Sequence, residues 1–388
     1  MIQTIMLAGY LAIKETWRNR GRFFLVSLVI ALIALLVLFI AALGEGLGTG
    51  NRQYISNLDA QLVVFLAKSD YNISASRLGD VKLRAIRRVA GVDSAGPIYT
   101  ANTSILLPDS RELKVSMLGV EAGTPGSPKI VQGRSFYSST ADEVVIDRNV
   151  ALRTNIKLGD EITIRSTQGV KDHFFHLTVV GLTEGQSYFF QPAIFVPPTT
   201  WEQDRPKSDA ELNNTVPAIN IIAVRLKDPA DLTGMTQVLM RQIENIEVAD
   251  IPTTINNIPG YSAQQGTVQT QAVFTLLIGV LVIGGFFQIQ ILQKVPQIGV
   301  LKAIGATNAA VGLAAVLQIM LVTAIGVAIG GGLAFVFSLF FPPTIPLVFN
   351  GQASAFAVVV LLAIGPAGGL VSVFYAVRIE PLKALRLS

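Results

Sequence analysis

Four long stretches of this chain carry no charge at all: Phe23–Leu43, Ala272–Gln293, Ala309–Phe341 and Ser354–Val377. Each has 21 residues or more, against about 20 needed for a helix to cross the hydrocarbon core of a bilayer. Lipid gives backbone N–H and C=O groups no water to bond, so a single run of this kind must be helical to span it. The third run has 33 residues, too many for one untilted span, and part of it is expected to extend beyond the bilayer. The expected fold class is therefore membrane α-helical, with four transmembrane helices arranged one plus three. A large α+β extracytoplasmic domain is expected between helices 1 and 2.

Charge orients the arrangement. Residues 1–22 carry Lys14, Arg18, Arg20 and Arg22 against Glu15, the loop 294–308 carries Lys294 and Lys302, and the tail 378–388 carries Arg378, Lys383 and Arg386 against Glu380. These segments sum to +7, whereas residues 44–271 hold 21 Lys and Arg against 24 Asp and Glu, and the loop 342–353 holds no charge. Positive residues beside span ends mark the cytoplasmic side. Both termini are thus expected inside, with residues 44–271 outside the cell membrane. The excess positive charge is juxtamembrane, which points to contact with anionic membrane lipid and not to nucleic acid. The chain has no cysteine, so the outer domain is expected to fold without disulfides. Its first apolar run exceeds the 7–15 residues of a signal h-region and reads as an uncleaved anchor.

The pattern along the chain gives the divisions 1–22 (an amphipathic interfacial helix, with Ile2, Ile5, Met6, Tyr10, Ile13 and Trp17 at helical spacing), 23–43, 44–271, 272–293, 294–308, 309–341, 342–353, 354–377 and 378–388. After the first span, Gly44, Gly46, Gly48 and Gly50 alternate with other residues. This is a setting for either close helix contact or a hinge. In the outer segment, Gln61–Leu66, Pro97–Leu107, Glu112–Val120, Glu143–Ile146, Glu161–Arg165, His176–Gly181, Ala193–Val196 and Ala218–Leu226 read as strands. Arg77–Val89, Arg148–Asn155 and Asp231–Ile243 read as helices, residues 125–134 as a loop, and Asn256–Gly260 as a break before the second span.

Catalytic constellations are not apparent. No Gly-Lys dipeptide occurs, which removes a P-loop. The two histidines, His173 and His176, fall short of a zinc ligand set. No cofactor or metal site is therefore expected in this chain. The spans carry no Asp, Glu, Lys, Arg or His, and Gln288, Gln290 and Gln318 are their largest polar groups. Ion-coupled carriers keep ionisable relays in the membrane, so energy is expected to come from another chain. Gly326-xxx-Gly330 and Gly365-xxx-Gly369 fit close helix packing. Gly365-Pro366 marks a kink or local break in the fourth span.

Between the second and third spans, Lys294–Asn308 has Pro296 at its start and Gly305 at its end, which frames one short helix. Ile298, Leu301 and Ile304 are expected to share an apolar side that a docking partner could grip. Ile298–Ala306 reads Ile-Gly-Val-Leu-Lys-Ala-Ile-Gly-Ala, and this closely resembles the coupling segment of the MacB/FtsX-type ABC transporter permeases. Ala376–Arg386 is similar to that family's C-terminal ending, and Leu11–Arg20 to its N-terminal segment. Asp142–Asp147, Leu158–Asp160 and Thr178–Gly181 resemble its periplasmic core domain. Gln297 stands where the family has an acidic residue, Pro296 where it has a basic one, and Lys383 where its tail has Glu.

The resemblance implies a non-catalytic permease subunit whose partner is a separate P-loop ATPase at the cytoplasmic face, with ATP and Mg held by that chain. It implies a homodimer or a pair with a sister permease, and a membrane-fusion adaptor in many cases. Gln297, Ile298, Gly299, Leu301, Lys302, Ile304 and Gly305 would carry the coupling. Gly44, Gly46, Gly48, Gly326, Gly330, Gly365, Pro366 and Gly369 would serve helix packing or hinging. The expected function is export or extraction of a lipid, peptide, drug or haem-like substrate. The alternative is mechanotransmission to a cell-wall enzyme or sensor without transport.

Overall fold

The computed structural model describes residues 9–10, 14, 17–212, 218–341 and 347–378. The chain forms two compact units: residues 1–46 with 265–388, and residues 47–264. Most of the N-terminal stretch read as amphipathic lies outside the described residues, as do Glu380, Lys383 and Arg386 of the tail motif. Tyr10 and Trp17 are described, and both are exposed.

Among the described residues, four helices are long and apolar enough to span a membrane. They are α1 (Arg20–Ser56), α8 (Tyr261–Gln293), α10 (Asn308–Phe340) and α11 (Gly351–Val377), with the short α9 (Val295–Ala303) after α8. The break expected at Asn256–Gly260 is followed at once by α8. The buried face of α10 repeats at Ile319, Val322, Thr323, Gly326, Val327, Gly330 and Ala334, the three-and-four spacing of one helical stripe. That stripe joins Phe23, Val26, Ile30 and Ala34 of α1, Ile283 and Phe287 of α8, and Leu361 and Ile364 of α11 in one apolar core. Leu25, Leu32, Phe274, Leu281, Phe335 and Phe374 lie exposed on the outer faces, as side chains meeting acyl chains must.

Among the described residues, the second unit is built on a mixed sheet of eleven strands: β1 (Leu62–Leu66), β2 (Val92–Leu106), β3 (Glu112–Val120), β4 (Ile130–Gly133), β5 (Glu143–Asp147), β6 (Glu161–Gln168), β7 (Lys171–Thr183), β8 (Ser187–Tyr188), β9 (Gln191–Val196), β10 (Ile221–Leu226) and β11 (Ile246–Asp250). The main path runs β11-β1-β10-β2-β3-β9-β5-β7-β4, with β6 pairing β2 and β7. The strand pairs β3/β9 and β5/β7 are parallel. Two-faced burial explains the apolar runs in the central strands. Leu62 and Val64 of β1, Ile222 and Val224 of β10, and Ile194 and Val196 of β9 enter one core. Their neighbours Val63, Phe65, Ile221, Ala223, Ala193 and Phe195 enter the other. The first core is covered by α2 (Asp80–Ile86), α4 (Pro198–Asp204) and α6 (Leu232–Gln242) through Leu83, Ile86, Trp201, Met235 and Leu239. Tyr54, Ile55 and Tyr261 close the second.

Local signals set the helix ends. The Asp147 side chain caps α3 (Arg148–Thr154) at Asn149 N, and Asn155 closes it in the left-handed region. Asp231 and Asp250 cap α6 and α7 (Ile251–Asn256) in the same way. The remaining helix, α5, spans Asp209–Leu212.

The structure corrects several sequence readings. β2 begins at Val92, with Pro97 inside it opposite Ile222. A proline lacks a ladder donor, but burial of Val92 and Ala95 continues the strand past it. Residues 125–134, expected as loop, end in β4, which pairs with the edge of β7. β11 and the helix α4 were not anticipated. His173 and His176 both lie on β7, and His176 Nδ1 sits 3.0 Å from Glu161 Oε1.

Two features of the second unit carry unfavourable energy. The turn between β8 and β9 places Phe189 and Phe190 at positive φ, a conformation that costs non-glycine residues about 1–3 kcal/mol each. A bond from Phe190 N to Gly50 O, 3.0 Å, holds it. Asp204, at the end of α4, is 2% exposed and its Oδ2 has no partner. Burial, reinforced by the nearby Asp142 carboxylate, raises its pKa to about 7. The folded state therefore favours the protonated acid. The penalty is absent below the ordinary aspartate pKa of about 4, grows as pH rises to about 7, and is constant above it. Asp204→Asn is accordingly expected to raise the unfolding temperature of the full chain more at pH 8 than at pH 5. Scanning calorimetry at the two pH values checks this, and an equal gain at both would contradict it.

Candidate functional site

The segment after α8 folds by its own local rules. Pro296 occupies the first turn of α9, where its missing N–H leaves no bond unmade. At the far end Gly305 has φ +108°, Ala306 N donates to Leu301 O at 3.0 Å and Gly305 N donates to Lys302 O at 3.0 Å. This pair of bonds is the Schellman closure, which needs a residue free to be left-handed. Thr307 then caps α10 by accepting from Ala310 N at 3.2 Å. Three turn-forming residues thus fix a nine-residue helix between two long ones.

α9 has two faces of different character. Inward, Gly299 is buried and Ile298 packs on Ile291, Val311 and Ala376. Lys302 Nζ donates to Val377 O, 2.7 Å away at the end of α11, where a cation meets the negative end of a helix dipole. Outward, Gln297, Val300, Leu301 and Ile304 follow one another at i, i+3, i+4 and i+7, all exposed, with Ile304 the most open at 82%. This revises two expectations. Ile298 is half-buried where Leu301 and Ile304 are exposed, although it lines one cavity with Gln297 and Leu301. Lys302 points to the neighbouring helix end and not outward. Val300 belongs to the outer face and was missed, although the 297/300/301/304 spacing carried the signal. Gly305 shapes the turn.

The glycine positions divide similarly. A Cβ on Gly326 would lie 2.6 Å from Ile30 Cβ, and one on Gly330 would lie 2.8 Å from Ala34 Cβ. These two residues let α10 approach α1. Gly365 and Gly369 face Thr323 and Ile319, so they bring α11 against α10. Gly44 faces Val268, and Gly44, Gly46 and Gly48 are buried along an unbroken α1. The fourth helix also runs unbroken through Pro366, so of the kink or local break expected there the break is not present. The missing proline N–H leaves only the Leu362 carbonyl without its usual donor.

A further close backbone approach involves glycines that sequence reading did not single out. A Cβ on Gly284 would lie 2.7 Å from Gly368 O, and one on Gly368 would lie 2.7 Å from Val280 O. The Gly-Gly pairs 284–285 and 368–369 were the available signal. Polar groups in the spans pair across helices: Ser27 Oγ donates to Val322 O at 3.4 Å, Ser372 Oγ to Gln288 Oε1 at 3.3 Å, and Lys294 Nζ to Gln318 Oε1 at 3.2 Å.

Four membrane-length helices with an α+β domain inserted after the first, and a short two-faced helix joining the second to the third, define a polytopic membrane protein of permease architecture. Residues 23–241 match the model of the MacB-like periplasmic core domain, and residues 271–381 match that of the FtsX-like permease C-terminal domain. The first match alone covers more than half of the chain, and the chain belongs to the MacB/FtsX-type ABC transporter permeases. It is 26% identical over 377 residues to a putative hemin transport system permease protein HrtB of Staphylococcus haemolyticus, covering 97% of this chain and 98% of that one. It is 23% identical to an uncharacterized ABC transporter permease of Mycobacterium bovis, over 91% of this chain and 93% of that one. Among solved structures, the periplasmic region of MacB from Actinobacillus actinomycetemcomitans is similar at 14% identity and TM-score 0.39, covering 53% of this chain and 97% of that one.

The Gly284–Gly368 approach generates a direct test. Overfilling a packed interface costs about 1–3 kcal/mol, and more where backbone must move. Gly368→Leu is expected to lower the unfolding temperature of the purified protein by several degrees. Gly285→Leu, at a site with nothing within 4 Å, should leave it within a degree. Equal effects of the two would remove the interface assignment.

Proposed function

We propose that this permease couples ATP hydrolysis by a separate P-loop ATPase to movement of its outer domain, and that α9 is where the ATPase docks. The observation that carries the reading is the outward face of α9, where Val300, Leu301 and Ile304 stand exposed on a helix fixed at both ends. A rigid apolar ridge at a span end can pass a push into two helices, because α8 and α10 flank it with no flexible linker. The rest of the assembly follows from the same reading. α9 and both termini lie in the cytoplasm, the membrane is the cell membrane, and two permease chains, identical or sister, pair around two ATPase subunits. A membrane-fusion adaptor joins from outside where the system has one.

For the substrate, the relative named for hemin transport matches along nearly its whole length, which supports an amphipathic, planar, haem-like cargo taken from the outer leaflet. The uncharged spans agree, since they offer no polar path for a hydrophilic solute.

The coupling reading is tested by reconstituting the permease with its cognate ATPase. Val300→Asp with Leu301→Asp is expected to cut stimulation of ATP hydrolysis by about tenfold, the equivalent of roughly 1.4 kcal/mol of docking energy. Both residues are exposed, so thermal unfolding should be unchanged. Undiminished stimulation would exclude α9 as the docking element. For the substrate, haemin is expected to stimulate hydrolysis by the reconstituted complex at lower concentration than a macrolide does. The opposite order would redirect the assignment to drug export.

A further inference from the structure

A cavity of about 510 Å³ opens between the N-terminal segment, the end of α8, the start of α10 and α9. Lys14, Arg18 and Lys294 line it together with Gln318, and Ile291, Val311 and Leu301 supply an aliphatic wall. No acidic side chain is among the described residues that line it. Two of the cations are held in place. Lys14 Nζ donates to Tyr10 OH at 3.1 Å, and Lys294, only 9% exposed, donates to Gln318 Oε1 and lies 5.7 Å from the centre of the Phe23 ring. Gln318 is 5% exposed, and its Nε2 has no partner. An amide N–H left unpaired in such a place keeps its desolvation penalty, and an acceptor entering the cavity would remove it.

We propose that this cavity binds the phosphate headgroup of an anionic phospholipid, with an acyl chain along the aliphatic wall. Three ammonium and guanidinium groups and an unpaired amide donor demand an acceptor-rich anion. The adjoining apolar wall, at the end of a lipid-facing helix bundle, favours one that carries hydrocarbon over free phosphate. Basic pockets between spans are a recognised chemistry for anionic headgroups. This site needs no ATPase, although Gln297 and Leu301 of the docking face also line it.

The test uses the purified full chain alone. Phosphatidylglycerol, phosphatidylcholine and inorganic phosphate are each titrated while thermal unfolding and lipid retention by native mass spectrometry are recorded. Phosphatidylglycerol is expected to be retained at least tenfold more than phosphatidylcholine and to raise the unfolding temperature. Lys14→Ala with Arg18→Ala should lose about tenfold in retention without changing the unliganded unfolding temperature. Gln318→Leu, which leaves every charge in place, should also weaken it severalfold. Equal retention of the two lipids, or an unaffected double variant, overturns the site. An unaffected Gln318→Leu reduces it to diffuse surface attraction and overturns the built cavity. Stabilisation by inorganic phosphate equal to that by phosphatidylglycerol overturns the lipid as occupant.

Discussion

Close approach of helix backbones is the constraint on which the membrane unit depends. The apolar runs of its helices contain no charge, and lipid tails solvate leucine as well as another helix does, so burial of apolar area cannot by itself select a partner. Selection must come from shape. Glycine supplies it at Gly326 and Gly330 toward α1, at Gly365 and Gly369 toward α10, and where Gly284 and Gly368 meet backbone to backbone. Each of these contacts joins a different pair of helices, so together they fix the order of the bundle. Side-chain bonds such as Ser372 to Gln288 then add direction to contacts that glycine has already made close.

The same glycines show what a sequence discloses and what it withholds. The four spans were legible because hydropathy is a one-dimensional property and lipid enforces it over twenty residues at a time. The Gly326 and Gly365 pairs were legible by spacing. Gly284 was not, because its significance lies in a residue 84 positions away. Alternation revealed the long strands, but β11 has five residues and an Asp at its end, and its place is fixed by pairing with β1. Pro97 misled for a related reason. Its local preference is to end a strand, and two buried residues before it outweigh one missing ladder bond.

The glycine run after the first span makes the point in energetic terms. Gly44, Gly46, Gly48 and Gly50 each cost a helix about 1 kcal/mol relative to alanine, which argues for a break. α1 nevertheless continues to Ser56. Within the second unit Tyr54 and Ile55, at its far end, are almost wholly buried in the lower core of the sheet, and Tyr54 donates to Gly126 O at 2.9 Å. Burying two large side chains contributes about 1.5–3 kcal/mol each, the same order as the propensity lost. Helix α8 begins with polar residues from Tyr261 onward, and Tyr261 lies in the same core. In both helices the extension beyond the apolar run is a tertiary effect, which is why the run alone gave only the membrane-sized part.

The two lysines of the short connecting segment bear on how a partner meets α9. Lys302 was among the residues that the resemblance implied for coupling. The structure commits both lysines elsewhere, Lys302 to the end of α11 and Lys294 to Gln318. Gln297 then stands on the outer face where relatives by resemblance carry an acid, so that face has neither sign of charge. A chain docking there as proposed meets aliphatic side chains and one amide, and its affinity must come from area and shape. Charge pairs at a rim set association rates and weaken with salt, whereas apolar contact changes little. A docking surface of this kind ties attachment to the rigidity of α9. That rigidity rests on Pro296, on the Gly305 closure and on Lys302 holding the inner side, so the residue that resembles a partner contact acts by keeping the partner's platform in place.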